Sequence, residues 1–172
     1  MHIYCVFCQT QRCGAIASWL SKTHMGQAVS PKVTMRERKE GVNRDVLRDL
    51  LPGYVFLFSE EEIRDFSPLH QVYGLIRILG SPENGMELRG TDAEFALRLL
   101  GRDGVVDGVK VFRTGDRVRL ADPLFSACEG RIAKVDHRKR RAKIVYVFNG
   151  MSCSTWAAMD EIDAADSGTA AP

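Results

Sequence analysis

The segment Leu50-Leu51-Pro52-Gly53-Tyr54-Val55-Phe56-Leu57-Phe58 decides the fold of this chain. A Pro-Gly pair is typical of a turn or a bulge. The run that follows is the most β-prone part of the sequence, and its apolar residues occupy both faces, as they do in a buried central strand. We therefore expect the neighbouring segments to assemble around a strand that begins near Tyr54.

The residues before this strand predict an α/β arrangement. Residues 3–7 are apolar and rich in β-formers, so they predict a first strand. Ile16, Trp19 and Leu20 have the spacing of one helix face, which predicts a helix that ends near residue 22 or 23. Residues 29–40 predict a long strand with a charged outer end, and residues 41–44 predict the tip of a hairpin.

The residues after the strand predict further helices and one more strand. Ser59 followed by three glutamates predicts a helix start, and this helix is expected to reach residue 69, with a break or strain at Pro68. Residues 72–79 predict a strand, residues 80–85 a loop, and residues from Thr91 a capped helix that stops at Gly101.

The last third of the chain predicts a different kind of unit. Residues 102–112 have the glycine-rich composition of a flexible linker. Short β-prone runs then alternate with turns between residues 113 and 163, which predicts a small closed barrel, because closure removes exposed sheet edges. Residues 164–172 are rich in Ala, Ser and Gly, and we expect a disordered tail there.

Charge points to an anionic partner for this second unit. The 172-residue chain has a net charge of only +2, with 45% hydrophobic and 27% charged residues, as is ordinary for a globular protein. Residues 131–143, however, carry seven basic side chains against the single acid Asp136, a local charge of +6. A nucleic acid would be drawn to this segment, although a solvated hairpin tip explains the same pattern.

The cysteines and histidines predict neither a metal site nor a cofactor. Cys5 and Cys8 have ligand-like spacing, but in a strand their side chains point to opposite faces. No Ser/His/Asp, Cys/His or paired-carboxylate arrangement is placed by adjacent motifs, so we expect no catalysis; an enzyme with Cys8 or Cys13 as its nucleophile is the alternative. An odd count of five cysteines, no secretory signal and no long apolar run predict a cytoplasmic protein with reduced thiols and no membrane contact.

Two motifs in this order resemble the NusG family of transcription elongation factors. The first is Pro52-Gly53-Tyr54-Val55, and the second is Gly115-Asp116-Arg117-Val118-Arg119-Leu120, followed by Phe125 and Gly130. The resemblance implies an α+β protein: a ferredoxin-like α/β sandwich, the NusG amino-terminal domain, joined by a linker to an SH3-like β-barrel, the KOW domain. The implied bounds are residues 1–101, 102–112 and 113–163, followed by the tail at 164–172.

In this family the first domain docks on the clamp helices of RNA polymerase and favours the pause-resistant state. Carried onto this sequence, the resemblance implies an RNA polymerase-binding site that comprises Tyr4, Leu51, Pro52, Gly53 and Tyr54. Ile3 and Leu51 stand where the family commonly has Trp and Phe, so the docking surface would stay apolar with less aromatic area. We expect a monomer without catalysis or cofactor.

The resemblance also implies partners for the KOW domain. Phe125, Gly130 and Phe148 match a patch that contacts the termination factor Rho or a small-subunit ribosomal protein in housekeeping members. Pro123 and Cys128 depart from the housekeeping pattern. The basic turn resembles that of specialised paralogues of the LoaP and RfaH type, and it implies binding of a nascent RNA hairpin through eight cations: Arg117, Arg119, Lys134, Arg138, Lys139, Arg140, Arg141 and Lys143.

These features predict an elongation factor that suppresses pausing or termination at specific operons. Two alternatives stay open: a general NusG-type elongation or termination factor, and a ribosome-associated KOW protein that binds RNA without polymerase. The β-branched run at residues 144–147 favours a permanent barrel over the helix-to-barrel refolding of RfaH. Basic residues of the 29–48 hairpin are interleaved with acids, which favours a self-neutralised surface over contact with DNA. Trp19 and Trp156 are expected in the core.

Overall fold

The structure is a computed structural model that describes residues 1–80, 85–114 and 117–162. Gly115 and Asp116 of the barrel motif, most of the predicted loop at 80–85 and the predicted tail at 164–172 lie outside the described residues. Contacts divide the chain into two compact units. The first unit comprises Met1–Lys32 and Asp49–Gly104, and the second comprises Val33–Arg48 and the residues from Val105 onward.

Strands predominate in both units. The helices are α1 (Cys13–Lys22), α2 (Gly90–Leu100) and the short α3 (Pro123–Ser126), and 3-10 turns lie at Thr10–Arg12 and Ser67–Gln71. The strands are β1 (His2–Cys8), β2 (Gln27–Val29), β3 (Lys32–Lys39), β4 (Val42–Asp49), β5 (Tyr54–Ser59), β6 (Leu75–Ile78), β7 (Val105–Val106), β8 (Val109–Thr114), β9 (Arg117–Leu120), β10 (Arg131–Asp136), β11 (Arg141–Phe148) and β12 (Met151–Ile162). No helix within the described ranges is long and apolar enough to cross a membrane.

The first unit is an antiparallel sheet in the order β2-β5-β1-β6. All six residues of β5 are buried, as the two-faced apolar pattern of the sequence predicts. One face of the sheet packs on α1, where Ile16 and Leu20 join Val6 and Leu57 in a hydrophobic cluster. The other face packs on α2 through the rings of Phe56 and Phe95, whose centroids lie 6.5 Å apart. This α/β sandwich confirms the predicted fold of the first half.

The turn before β5 fixes where the central strand begins. The amide of Tyr54 donates to the carbonyl of Leu51 at 3.1 Å, and Gly53 between them has a φ of +88°. These features are those of a type II turn, which takes Pro at its second position and Gly at its third. The amide of Cys8 in β1 donates to the carbonyl of Gly53 at 2.7 Å, so the turn is tied to the neighbouring strand.

The second unit contains a five-stranded sheet in the order β10-β11-β12-β8-β9, and its first and last strands also contact each other. This nearly closed sheet confirms the predicted small barrel. Its core includes Phe125, Tyr146 and Phe148, which are fully buried. The same unit holds a three-stranded sheet in the order β4-β3-β7, which is supported by a 2.9 Å hydrogen bond from the Thr34 hydroxyl to Asp107.

The structure differs from the sequence-based expectation in several local elements. The long strand expected at residues 29–40 is interrupted at Pro31, so that Val29 ends β2 and Lys32 begins β3. No helix begins at Ser59, which is the last residue of β5; a 3-10 turn forms instead at Ser67–Gln71. Pro68 is acceptable only in the first turn of a helix, and the Asp65 carboxylate accepts from the Ser67 amide at 2.8 Å, so this later start is favoured. The hairpin tip lies at Glu40 and Gly41 rather than at 41–44, because both residues have the positive φ that a two-residue hairpin needs.

Residues 102–112, which were predicted to form the linker, contain β7 and most of β8. Their hydrogen bonds within sheets show that a glycine-rich composition does not exclude strand pairing. The predicted domain bounds stay a prediction, since contacts alone do not reveal which segments fold independently.

We predict that Gly53→Ala lowers the free energy of unfolding by roughly 2–4 kcal/mol, because a side chain at positive φ is strained and must also displace its neighbours. An added Cβ would lie 2.7 Å from the Phe7 ring and 3.0 Å from the Cys8 carbonyl. Gly85→Ala is the matched control: its φ is +81° but no atom lies within 4 Å of its added Cβ. We expect the control to cost only about 1–2 kcal/mol by urea denaturation. Equal losses in the two variants would contradict the close-contact explanation.

Candidate functional sites

The Pro-Gly turn presents a small surface over a rigid base. Pro52 is exposed, whereas Leu51 and Gly53 are buried and Tyr54 is only 9% exposed. The Tyr54 ring packs on Phe7, with ring centroids 5.0 Å apart and planes tilted by 49°. The buried residues therefore hold the shape of the turn, and Pro52 is its exposed residue.

Tyr4 does not join this surface. Phe7 pairs directly with Tyr54 across β1 and β5, and Tyr4 pairs with Leu57, so the alternation of a strand puts Tyr4 on the opposite face of the sheet. There the Tyr4 ring lies edge-on to Phe66, and its hydroxyl accepts from the amide of Ile63 at 2.9 Å. Burial raises the pKa of Tyr4. The hydrogen bond from the Ile63 amide acts against this shift, and the charge of Glu87 adds to it. The structure brings together four of the five residues predicted to contact polymerase.

A second surface of the first unit was missed by sequence reasoning. A groove of about 770 Å³ lies beside α1 and the 3-10 turn, and its lining includes Arg12, Trp19 and Tyr73. Trp19 was predicted to be core but is 39% exposed, and Tyr73 is 74% exposed. The Arg12 guanidinium lies 4.8 Å from the centre of the Tyr73 ring. The helical spacing of Trp19 signals one face of α1, but spacing alone does not show how far the sheet covers that face.

Two of the three residues of the predicted protein-contact patch, Phe125 and Phe148, lie inside the barrel, and Gly130 is half-buried. Phe125 and Phe148 are fully buried, and the Phe125 ring packs edge-on against Tyr146 at 5.3 Å. Gly130 is a close-approach site, since an added Cβ would lie 2.4 Å from the Cβ of Phe125. Burial raises the pKa of Tyr146 far above its ordinary value, in keeping with a dry core. In this structure the two phenylalanines shape the barrel and do not present their rings to a partner.

The basic turn between β10 and β11 is, by contrast, presented to solvent. Arg138 and Arg140 are exposed and Lys139 is partly exposed. Asp136 organises the turn: its carboxylate accepts from the Lys139 amide at 3.1 Å and from Nε of Arg141 at 3.4 Å. Burial opposes the charge of Asp136, but the Lys139 amide and the Arg141 cation outweigh it, so the pKa of Asp136 is lowered. The turn is thus held by one carboxylate while most of its cations point outward.

The remaining predicted RNA contacts lie on neighbouring strands. Lys134 and Lys143 face each other across β10 and β11, and Arg141 lies two pairs further along, opposite Asp136. Arg117 and Arg119 are exposed on β9, which contacts β10 where the barrel closes. The Arg141 guanidinium lies 4.7 Å from the centre of the Trp156 ring. Trp156 was predicted to be core but is partly exposed on the outer face of this sheet.

The cysteines form no metal site among the described residues, where no group of three or more metal-binding side chains is found. Cys5 and Cys8 point to opposite faces, as predicted, and Cys8 lies beside Cys13 with 3.1 Å between their sulfurs. Burial and the hydrogen bond to Cys13 raise the pKa of Cys8 to about 12. A thiol with this pKa stays protonated at neutral pH, which disfavours Cys8 as a nucleophile.

Comparison with known proteins finds NusG proteins among the relatives of this chain. No family model matches the chain. Its sequence is 26% identical over 132 residues to the transcription termination/antitermination protein NusG of Buchnera aphidicola, an alignment that covers 74% of this chain and 71% of the relative. It is 22% identical over 144 residues to NusG of Treponema pallidum, with 78% and 77% covered. These two similarities support the assignment of this chain to the NusG family.

The fold agrees with this assignment. A solved structure described as domain interaction in Thermotoga maritima NusG superposes with a TM-score of 0.50 at 20% identity, and it covers 91% of this chain and 93% of that one. The Pro-Gly turn and the barrel are thus elements of a NusG-type architecture. Both relatives are named as transcription termination/antitermination proteins.

Proposed function

We propose that this NusG-family protein is a specialised antitermination factor that docks on RNA polymerase and suppresses pausing or termination at particular operons. The observation that carries the proposal is the solvent-presented basic turn between β10 and β11. Asp136 holds the turn through the Lys139 amide and Arg141, and the exposed Arg138 and Arg140 contribute to a local positive charge that attracts RNA phosphates. A nascent RNA hairpin bound there would recruit the factor to the operon that encodes the hairpin.

Docking on polymerase is assigned to the Pro-Gly turn. The turn combines an exposed Pro52 with the packed ring pair of Phe7 and Tyr54, and such a preorganised apolar anchor supports docking on the clamp helices. Tyr4 then has a supporting role from the opposite face of the sheet, because its ring is 2% exposed. The buried state of Phe125 and Phe148 gives no direct support to a contact with Rho or a ribosomal protein.

Transcription read-through tests the function. In a purified system with an intrinsic terminator, we expect the protein to increase read-through only when the native leader of its own operon lies upstream. Leader-independent changes in pausing would instead indicate a general NusG-type factor. The absence of any effect, together with RNA binding, would favour the ribosome-associated alternative.

A charge placed at the Pro-Gly turn should weaken polymerase binding. We predict that Pro52→Glu lowers the affinity for RNA polymerase by at least about tenfold, because an apolar docking contact cannot desolvate a carboxylate at low cost. Pull-down or biolayer interferometry with core polymerase measures the effect. Trp19→Glu is the control, since Trp19 is exposed on the α1 face of the same unit. If Trp19→Glu abolishes binding and Pro52→Glu does not, the docking surface is the groove beside α1.

The basic turn should carry the salt-dependent part of RNA binding. We predict that replacing Arg138, Lys139 and Arg140 together by Gln weakens binding of the leader hairpin by roughly tenfold or more at low salt, and flattens the slope of log K against log salt by about 2 to 3. Fluorescence anisotropy with labelled RNA provides both values.

The matched control for this variant is replacement of Arg38, Lys39 and Arg44 by Gln. These three cations are exposed on the β3–β4 hairpin of the same unit, so the change in net charge is identical. We expect the control to retain its affinity and its slope. Equal losses in both variants would mean that overall charge, rather than the turn, attracts RNA.

A further inference from the structure

The outer face of the β10–β11–β12 sheet carries a row of side chains that folding alone does not explain. Lys134, Lys143 and Trp156 are directly paired across the three strands, so their side chains share one face. On β11 the alternate residues Ala142 and Ile144 are buried, which identifies the face of Lys143 as the outer one. Two lysines and a tryptophan thus stand side by side on the surface of the barrel.

A β-bulge puts Lys134 into this row. Ile132 pairs with Ile144 on the core face, and the next pair joins Lys134 with Lys143, so the register shifts at Ala133. Without the shift, Lys134 would lie on the same face as Ile132, since side chains two apart share a face. Bulges commonly redirect a side chain in this way, and they occur near functional sites.

The two lysines oppose each other without compensation. Like charges directly across an antiparallel pair are destabilising. Within the described part of the chain, no ion pair or side-chain hydrogen bond involves Lys134 or Lys143. Asp136, the nearest carboxylate by register, is engaged by Arg141 and by the Lys139 amide. An anionic ligand would relieve the repulsion between the lysines.

The neighbouring tryptophan adds a flat surface to this cationic pair. Arg141 is anchored by Asp136 and lies with its guanidinium 4.7 Å from the centre of the Trp156 ring. Indole rings and guanidinium planes both stack on nucleobases. An acidic peptide would satisfy the lysines but offers a π-surface only where it also contains an aromatic residue, whereas every nucleotide carries both a phosphate and a flat base.

We propose that this row is a binding site for an unpaired nucleobase of RNA, which stacks on the Arg141–Trp156 pair while its flanking phosphates lie between Lys134 and Lys143. The inference rests on the proposed function and deepens it, because it specifies that the RNA is recognised through an unpaired base in addition to its phosphates. A hairpin loop, a bulge or a single-stranded flank supplies such a base.

Tryptophan fluorescence provides a direct test. The chain has two tryptophans, so Trp19→Phe leaves Trp156 as the sole reporter. Single-stranded oligoadenylate should change the Trp156 emission, and blunt duplex RNA with the same number of phosphates should not. Binding of either RNA is followed separately by anisotropy of a labelled strand. Oligoadenylate that binds without changing the emission would overturn the inference but leave RNA binding intact. If neither RNA nor the leader hairpin binds, the proposed function itself fails.

Substitutions at Trp156 separate stacking from phosphate attraction. Trp156→Leu should weaken oligoadenylate binding roughly 5- to 150-fold, the range for loss of one base–aromatic stack, and leave the affinity for duplex RNA nearly unchanged. Trp156→Phe should retain most of the affinity and provides the folding control, because the ring is kept. Equal weakening of single-stranded and duplex binding by Trp156→Leu would contradict a stacking role.

Lys134→Gln should have effects of opposite sign on stability and binding. Removing one of two facing charges should leave the free energy of unfolding unchanged or increase it, while oligoadenylate binding weakens and its salt slope falls by about 0.7, the value for one phosphate contact on a single strand. A loss of stability without a loss of affinity would show that Lys134 is a structural residue, and it would overturn the site.

Discussion

The antiparallel pairing of β1 with β5 is the constraint on which the first unit depends. Both strands are largely buried, so their backbone groups must be satisfied within the sheet. Gly53 makes the pairing possible at its outer end, because its carbonyl accepts from the Cys8 amide and its lack of a side chain leaves room for the Phe7 ring. The register that follows decides which side chains meet and which are kept apart.

The register has a direct consequence for the candidate docking surface. It pairs Phe7 with Tyr54 and places Tyr4 on the α1 side of the sheet. Residues that are close in sequence, such as Tyr4 and Phe7, can therefore lie on opposite faces of the sheet. The two-residue period of a strand decides which face each side chain occupies. The accessible part of the turn is small. Such a surface is suited to an interface in which a few residues contribute most of the binding energy, rather than to a broad apolar interface.

The fold was largely predictable from sequence, and the surfaces were predictable only in part. Apolar runs such as residues 54–58 and the β-branched 144–147 predicted strands correctly, because burial on one or both faces leaves a strong periodic signal. The helix expected from Ser59 was wrong, since a capping pattern cannot outweigh the continuation of β5 and the position of Pro68. The exposure of Trp19 and Trp156 was not predictable, because it depends on how far packing extends over each face.

The basic segment shows why charge in a sequence and charge on a surface differ. Seven cations within residues 131–143 predict attraction for anions, but they do not show which cations are already neutralised. The structure assigns Arg141 to Asp136 and leaves Lys134 opposite Lys143, an arrangement that depends on a one-residue bulge invisible to periodicity. A barrel selected for stability alone would gain from an acid or a neutral residue at either position. Two facing lysines beside a partly exposed indole are physically reasonable if the row is completed by a ligand that brings negative charge and a flat ring.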